Sequence, residues 1–238
     1  MSRPVRTGNY KEENFDEAAN LIRAAAADGA KIAVTFEQFL DGYGRDANKM
    51  DGLSDPDVDR CEVYGKSDYV TRLAELASEL GIVIVAGLAL AEPDDTYNSA
   101  IVFGKDGTQL GRYRKTHNAG TYATWFAPLT AQEKHTSCPS FDLGAGKIGI
   151  KICNDRHFRE TTTYLIENGC ELLLCPSFGE YDPAGLVDDS KEFGIWTVFV
   201  HPEGCQFIED GAMVSEQRHT EGTGSYAISE LEYRVPRR

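Results

Sequence analysis

The feature that most constrains the fold of this sequence is a set of short, almost entirely apolar segments. Residues 82–90 read IVIVAGLAL and residues 171–175 read ELLLC, so apolar side chains stand at odd and even positions alike. A β-strand points successive side chains to opposite faces of its sheet. Strands of this composition therefore need cover on both faces, as in sheets that are enclosed by other layers.

Segments with helical periodicity can supply that cover. Apolar residues recur at helical spacing in residues 14–30, 66–81 and 159–169. Asn14 is predicted to cap the first of these helices, and Gly29 stands near its end. Because such segments alternate with apolar strands, the sequence predicts an α/β fold in which helices cover a sheet.

Further strands follow along the whole chain. They are predicted at residues 31–36, 147–153, 196–201, 206–210 and 224–230, and as a hairpin that joins residues 97–104 to residues 108–117 around Lys105, Asp106 and Gly107. No internal repeat, low-complexity segment or linker interrupts this pattern. We therefore expect a single domain over residues 1–238.

Composition and charge argue against several classes of protein. The 238 residues carry a formal net charge of −14, which argues against nucleic-acid or anionic-membrane binding because such surfaces need basic patches. No apolar run approaches the roughly 20 residues that span a bilayer, and the N-terminus lacks the apolar core of an export signal. The six cysteines follow no paired spacing, so we expect reduced thiols, no zinc site and a cytoplasmic location.

Three chemically reactive side chains close predicted strands. Glu37 follows residues 31–36, Lys115 closes GRYRK (residues 111–115) in the hairpin's second strand, and Cys153 ends residues 147–153. Reactive groups of α/β sheets collect where strands end. A cysteine can attack a carbonyl or nitrile carbon, a glutamate can move protons, and a lysine can stabilise the developing anion.

Each of these residues also has an ordinary structural interpretation. Buried cysteines usually pack as small apolar side chains, and a glutamate after a strand is ordinarily solvated. Lys115 stands near Arg112 and Arg114, as it would on a basic hairpin edge. Taken singly, none of the three residues indicates a catalytic site.

Three longer segments together resemble the nitrilase superfamily of carbon–nitrogen hydrolases. They are DGAKIAVTFEQFLDGY (residues 28–43), YNSAIVFGKDGTQLGRYRKTHN (97–118) and GKIGIKICNDRHFRE (146–160). The resemblance implies an α-β-β-α sandwich in which Glu37 is the general base, Lys115 stabilises the oxyanion and Cys153 is the nucleophile. It also implies chemistry that needs no metal ion and no organic cofactor.

The sequence departs from the family pattern at three points. Family members usually begin with an apolar strand, but MSRPVRTGNY (residues 1–10) is polar, so we expect the first strand to be missing or divergent. Phe36 stands where many members carry a proline before the glutamate. Glu133 is the only carboxylate between Lys115 and Asp142 and is thus the candidate for the family's second glutamate.

The residues after Cys153 suggest how a substrate is held. CNDRHFRE is similar to the CNDRR stretch of N-carbamoyl-amino-acid amidohydrolases, in which arginines hold the substrate carboxylate. The candidate substrate-binding residues are Asn154, whose backbone N–H could also donate to the oxyanion, Arg156, His157, Tyr122 and Trp125. Arg156 could instead pair with Asp155 or Glu160, and the aromatic residues could be ordinary packing.

Taken together, these features predict a thiol amidohydrolase that acts on small linear amides or N-carbamoyl compounds. One alternative is a nitrilase or acyltransferase with the same three residues. Another is a non-catalytic family member that serves as a binding or assembly subunit. The resemblance also implies a homodimer or larger homo-oligomer, with RETTTYLIENG (residues 159–169) at or near the interface.

Overall fold

The structure, a computed structural model, describes residues 10–41, 61–119, 126–218 and 226–231. The helices in these ranges are α1 (Tyr10–Ala27), α2 (Asp68–Leu80), α3 (Ala131–Thr136), α4 (Arg159–Glu167) and α5 (Ala184–Phe193). The strands are β1 (Ile32–Val34), β2 (Glu62–Val63), β3 (Val83–Ala91), β4 (Thr96–Phe103), β5 (Gln109–Arg114), β6 (Phe141–Asp142), β7 (Lys147–Ile150), β8 (Leu172–Pro176), β9 (Trp196–His201), β10 (Gly204–Glu209) and β11 (Ala212–Arg218). No helix within the described ranges is long and apolar enough to cross a membrane.

The strands form two sheets. The first sheet has the strand order β1-β3-β4-β5, and β2 also pairs with β3. The second sheet has the order β11-β10-β9-β8-β7-β6. The predicted hairpin is present as the antiparallel pair β4 and β5. In the second sheet β7, β8 and β9 run parallel, and α4 and α5 make the crossovers that parallel neighbours require.

Alternation along β3 divides its side chains between two cores. Ile84 and Leu88 pack with apolar residues of α1 and α2. Val83 and Val85 point the other way and pack with apolar residues of the second sheet. Both faces of this strand are therefore buried, as its continuous apolar sequence predicts.

The second sheet is covered on its outer face by α4 and α5. A Cβ atom added at Gly149 in β7 would lie 3.2 Å from the side chain of Leu165 in α4. Two residues further on, the Nζ of Lys151 donates to the Oδ2 of Asp189 in α5 at 2.7 Å. Ile148 belongs to the core shared with β3. The layers are thus helix, sheet, sheet and helix, which confirms the predicted α-β-β-α sandwich.

Some local predictions are wrong. Asn14 lies inside α1, where its Nδ2 donates to the carbonyl of Leu40 at 2.8 Å, so it does not cap the helix. Residues 226–231 form no regular structure: Ala227 packs against the core between the sheets, whereas Ile228 is exposed. The missing or divergent first strand falls on residues 1–9, which lie outside the described residues, and it stays a prediction.

The strand predicted at residues 147–153 is shorter than its apolar run. Regular pairing ends at Ile150, although the N–H of Lys151 still donates to the carbonyl of Leu174 at 3.0 Å. The chain then enters a short 3₁₀ turn, Cys153–His157, which we call the cysteine turn. Cys153 thus stands at the start of a turn and not within the strand.

Candidate active site

Glu37 is held against the first sheet by a close backbone contact. It follows β1 by three residues and crosses β3 at Gly87, where an added Cβ would lie 2.6 Å from the carbonyl oxygen of Phe36 and 3.0 Å from the Cα of Glu37. The N–H of Gly87 donates to the Oγ1 of Thr35 at 2.9 Å. Only glycine leaves room for this close approach of the two backbones. The contact therefore fixes the position of the Glu37 backbone relative to β3.

Lys115 and Asn98 meet Glu37 from the neighbouring hairpin. Lys115 follows β5, and its backbone N–H donates to the carbonyl of Asn98 in β4 at 2.8 Å. Its Nζ donates to the Oε1 of Glu37 at 2.6 Å. The Nδ2 of Asn98 donates to the same oxygen at 2.7 Å. The three side chains therefore form one buried hydrogen-bonded group with the carboxylate at its centre.

The negative charge of Glu37 and the positive charge of Lys115 balance each other within this group. Glu37 is fully buried, at 0% exposure. Burial lowers the pKa of Lys115, but the carboxylate of Glu37 and the other negative groups nearby outweigh burial, so the pKa lies above its ordinary value and the ammonium group stays charged. The second carboxylate oxygen of Glu37, Oε2, has no hydrogen-bond partner among the described residues. It is the oxygen that remains free to accept a proton.

The cysteine turn places its first residue in an unusual backbone conformation. Cys153 has φ of +48°, in the left-handed region that residues other than glycine seldom adopt. Strain of this kind is found at functional sites, where the surrounding structure maintains it. Gln38, directly after Glu37, has φ of +50°. Glu37 and Cys153 thus each stand at the start of a turn that directly follows an extended segment.

Asp155 holds the cysteine turn in place. This buried carboxylate accepts hydrogen bonds from the backbone N–H groups of Ile152 at 2.9 Å and His117 at 2.7 Å. It also accepts from the hydroxyl groups of Tyr113 at 2.7 Å and Thr116 at 2.9 Å. Burial raises the pKa of Asp155, but these donors and the nearby ammonium group hold it below its ordinary value. Asp155 thus fastens the turn to the segment that carries Lys115.

The thiol of Cys153 is protonated at rest. Burial and then the carboxylate of Glu37 raise its pKa, and the positive charges of Lys115 and Arg156 only partly oppose them. The Sγ donates to the carbonyl of Phe178 at 3.4 Å. A thiol in this state needs a base before it can attack a carbon atom. The carboxylate of Glu37 is near enough to raise the pKa of this thiol, and its Oε2 has no hydrogen-bond partner among the described residues.

The thiol opens into a cavity of 220 Å³. Its lining includes Lys115, Cys153, Asn98, Phe126, Asn154, Arg156 and His157. The structure therefore brings the hairpin lysine and the cysteine to one cavity, as expected from their positions after strands. A cavity of this size suits a small molecule and not a polypeptide.

Arg156 is the most unusual residue of the lining. It is only 4% exposed, and no carboxylate among the described residues pairs with it. Its Nη1 contacts the Sγ of Cys153 at 3.5 Å, and its Nε has no partner among these residues. Asp155 is saturated by other donors, and the Oε1 of Glu160 instead lies 3.4 Å from the Nε2 of His117. Neither of the two ion pairs considered for Arg156, with Asp155 or with Glu160, is therefore formed.

The remaining candidates have varied positions. The Nδ2 of Asn154 donates to the carbonyl of His117 at 3.2 Å, so this side chain also braces the cysteine turn. His157 is exposed at the cavity, and burial of its ring together with the charge of Arg156 lowers its pKa. Tyr122 and Trp125 lie outside the described residues.

Glu133 does not reach the cavity. It is exposed on α3, where its carboxylate accepts the backbone N–H of Thr130 at 2.8 Å and the hydroxyl of Thr130 accepts its own N–H in return. This reciprocal pair is a helix capping box. Its placement gives no support to Glu133 as a second glutamate of the site.

Reasoning from sequence gave Asn98 no role and named Asp155 only as a possible partner of Arg156. A signal for Asn98 existed, since an asparagine within the mostly apolar strand β4 must find partners when it is buried. No comparable signal marked the bracing role of Asp155, whose partners on the hairpin side lie 38 to 42 residues earlier in the chain. Within the described ranges, no group of three or more His, Cys, Asp or Glu side chains is arranged to hold a metal ion.

Comparison with known proteins identifies the family. A family model described as carbon-nitrogen hydrolase matches residues 5–225. The chain is 32% identical over 184 residues to omega-amidase NIT2 of Homo sapiens, covering 72% of this chain and 60% of that protein. It is 31% identical over 188 residues to N-carbamoylputrescine amidase of Oryza sativa subsp. japonica, covering 77% of this chain and 59% of that protein. The matches thus span about 60% of the length of these relatives.

The fold is shared with solved structures. Nit3 of Saccharomyces cerevisiae, a member of branch 10 of the nitrilase superfamily, superposes with a TM-score of 0.72 at 18% identity. The match covers 92% of this chain and 84% of Nit3. The family match over most of the chain and the shared sandwich lead to one conclusion: this chain belongs to the carbon-nitrogen hydrolase family.

Proposed function

We propose that the protein is a thiol amidohydrolase that cleaves the C–N bond of small amides or N-carbamoyl compounds carrying a carboxylate. The observation that carries this proposal is the buried guanidinium of Arg156, which contacts Cys153 and has no carboxylate partner among the described residues. An uncompensated buried cation is costly. A substrate carboxylate would remove that cost and would also place the rest of the substrate beside the thiol.

The proposed reaction has two steps. In the first, Glu37 takes the thiol proton, Cys153 attacks the amide or carbamoyl carbon, and the ammonium group of Lys115 stabilises the oxyanion. The proton then passes from Glu37 to the nitrogen, which leaves as ammonia or an amine while a thioester remains. In the second step Glu37 takes a proton from water, which attacks the thioester, and the proton returns to the thiolate as the acid leaves.

The protonation states of the site support this sequence. The pKa of Cys153 is raised, so the thiol retains its proton until a base removes it. The pKa of Lys115 is also raised, so its charge persists while the oxyanion forms. The backbone N–H of Asn154, next to the nucleophile, is proposed as a further donor to the oxyanion.

The test is a screen of ammonia release from matched substrates. It compares monoamides of dicarboxylic acids and ureido acids with neutral amides and nitriles of the same length. Arg156→Met should lower kcat/KM for the carboxylate-bearing substrates by roughly 30-fold or more, since loss of a buried charged partner costs about 2 kcal/mol or more. It should lower the rates for neutral amides much less, because with these substrates only the contact of Arg156 with the thiol is lost.

Two controls separate the possible outcomes. Arg159→Ala removes an exposed arginine just beyond the cysteine turn that pairs with Glu192, and it should have little effect. Cys153→Ala should abolish release. If the wild type cleaves neutral and carboxylate-bearing amides equally well, the assigned role of Arg156 is wrong. If it releases ammonia from none of these substrates, the hydrolase itself is wrong, and a non-catalytic binding subunit becomes the better account.

Association and location are also proposals. We expect a homodimer or larger assembly through the outer helical layer that contains α4, and a cytoplasmic protein that acts on a small-molecule substrate. Light scattering at micromolar concentration checks the first expectation. A mass of 26.2 kDa, that of one chain, would contradict it.

A further inference from the structure

One buried acceptor at the cavity has no donor within the described part of the chain. Asn98 is 3% exposed and lines the cavity beside Lys115 and Cys153. Its Oδ1 has no hydrogen-bond partner among the described residues. Leaving a buried carbonyl oxygen unpaired costs about 1–3 kcal/mol. Native proteins seldom leave such groups unpaired, and an unpaired one needs an explanation.

The orientation of this amide follows from its neighbour. The Nδ2 of Asn98 lies 2.7 Å from the Oε1 of Glu37, which is a carboxylate oxygen and can only accept. Rotating the amide by half a turn would set two acceptors against each other. The NH₂ group therefore faces Glu37, and the Oδ1 is the atom left over.

Asn98 is also hydrogen-bonded to both Glu37 and Lys115. Its backbone carbonyl accepts the N–H of Lys115 at 2.8 Å, and its side chain shares the Oε1 of Glu37 with the ammonium group of Lys115. A ligand atom that reached the Oδ1 would therefore lie next to the proposed proton-transfer group. An acceptor in this place calls for a donor on the substrate.

We propose that the Oδ1 of Asn98 accepts a hydrogen bond from an N–H of the scissile amide or carbamoyl group. This inference rests on the proposed hydrolase function and narrows its substrates. Amides and ureido compounds have an N–H at the scissile nitrogen, whereas nitriles and esters have none. Asn98 would thus favour C–N substrates of the amide type over the nitriles that the three reactive residues alone would admit.

The hydrogen bond would also orient the leaving group. When Cys153 adds to the carbon, the lone pair of the nitrogen is released from amide resonance and must receive the proton carried by Glu37 before the C–N bond breaks. An N–H held by the Oδ1 of Asn98 would fix the rotation of that nitrogen beside Glu37, because the NH₂ group of the same side chain donates to the carboxylate. Asn98 is thus proposed as a specificity-determining residue that touches the substrate.

The test compares an amide with the ester of the same acid, because the ester lacks the N–H and otherwise presents the same acyl group. Asn98→Leu removes both hydrogen bonds at similar size. Loss of the bond to Glu37 should slow both substrates equally. Loss of the Oδ1 acceptor should slow the amide by about a further tenfold, so the ratio of the two kcat/KM values falls by that factor.

Asn118→Leu is the matched control, since this residue also lines the cavity but its Nδ2 donates to the carbonyl of Phe126 at 3.2 Å. Its ratio of amide to ester rates should equal that of the wild type. Equal losses for amide and ester in Asn98→Leu would overturn the inference and reduce Asn98 to a residue that positions Glu37. If Asn98→Leu does not fold, Asn98→Ala is measured in the same way. A wild type that cleaves esters but no amide would instead refute the proposed function.

Discussion

Replacing Gly87 by alanine tests whether backbone packing places Glu37, the proposed general base. The new Cβ would lie 2.6 Å from the carbonyl oxygen of Phe36. Reaching a separation of 3.4 Å, the lower edge of ordinary contact, requires a shift of roughly 0.8 Å in β3 or in the segment that carries Glu37. Misplacing a catalytic group by about 1 Å can cost around 100-fold in rate. We therefore expect Gly87→Ala to lower kcat by about 10- to 100-fold, with a loss of about 1–3 kcal/mol in the free energy of unfolding.

The assay is turnover of the best amide found in the screen, measured together with urea unfolding. Gly104→Ala, directly after β4, is the control, because the Cβ there would lie 3.1 Å from the side chain of Asp106 and no nearer than 3.5 Å to other neighbouring atoms. Thr35→Val is a gentler probe of the same contact, since it removes the acceptor of the Gly87 N–H without adding a clash. Should Gly87→Ala fold and retain wild-type kcat, the close approach of β3 is not what places Glu37.

Three further predictions follow from the buried charges and thiols. Lys115→Ala should lower turnover by roughly 100- to 1,000-fold, as when one oxyanion donor is lost, and Lys115→Arg should not restore it. Arg112→Ala removes a hydrogen-bond partner of a glutamate away from the site and should lower turnover only slightly. Iodoacetamide near neutral pH should label Cys153 before the other five cysteines, which are all buried, and peptide mapping that finds another cysteine labelled first would contradict the assignment. Burial lowers the pKa of His201 from 6.5 to about 4, so the contribution of the neutral ring to stability is complete above pH 6.5 and is lost as the pH falls towards 4. The loss amounts to about 3 kcal/mol. In His201→Gln, the free energy of unfolding measured with urea should therefore change less with pH over that range.

The layers and the positions of the reactive residues could be predicted because they follow from local patterns. Continuous apolar runs mark strands with two buried faces, and polar residues directly after such runs mark strand ends. Glu37, Lys115 and Cys153 were singled out in this way, and their proposed roles came from the resemblance to the nitrilase superfamily. The exact end of the strand before Cys153 was not predicted. No residue type in this segment signals the left-handed backbone conformation with which the cysteine turn begins.

The helix α5 shows why other elements could not be predicted. Its sequence, AGLVDDSKEF, contains a glycine and two adjacent aspartates, which are poor helix formers. The structure gives reasons for two of these residues. A Cβ at Gly185 would lie 1.9 Å from the carbonyl oxygen of Arg156, so the helix lies directly against the cysteine turn. Asp189 accepts the buried ammonium group of Lys151. Both constraints come from residues distant in sequence, which a local pattern cannot contain.

The residues of the candidate site come from both sheets. Catalytic activity would therefore require that the two sheets, each with its helices, are packed against each other. Asn98 lies in a strand of the first sheet and Glu37 and Lys115 follow strands of that sheet. Cys153 and Arg156 follow a strand of the second. During refolding, either half could regain its backbone hydrogen bonds while turnover is still zero. Recovery of activity would then time the docking of the halves, a step that circular dichroism does not distinguish from formation of the strands themselves.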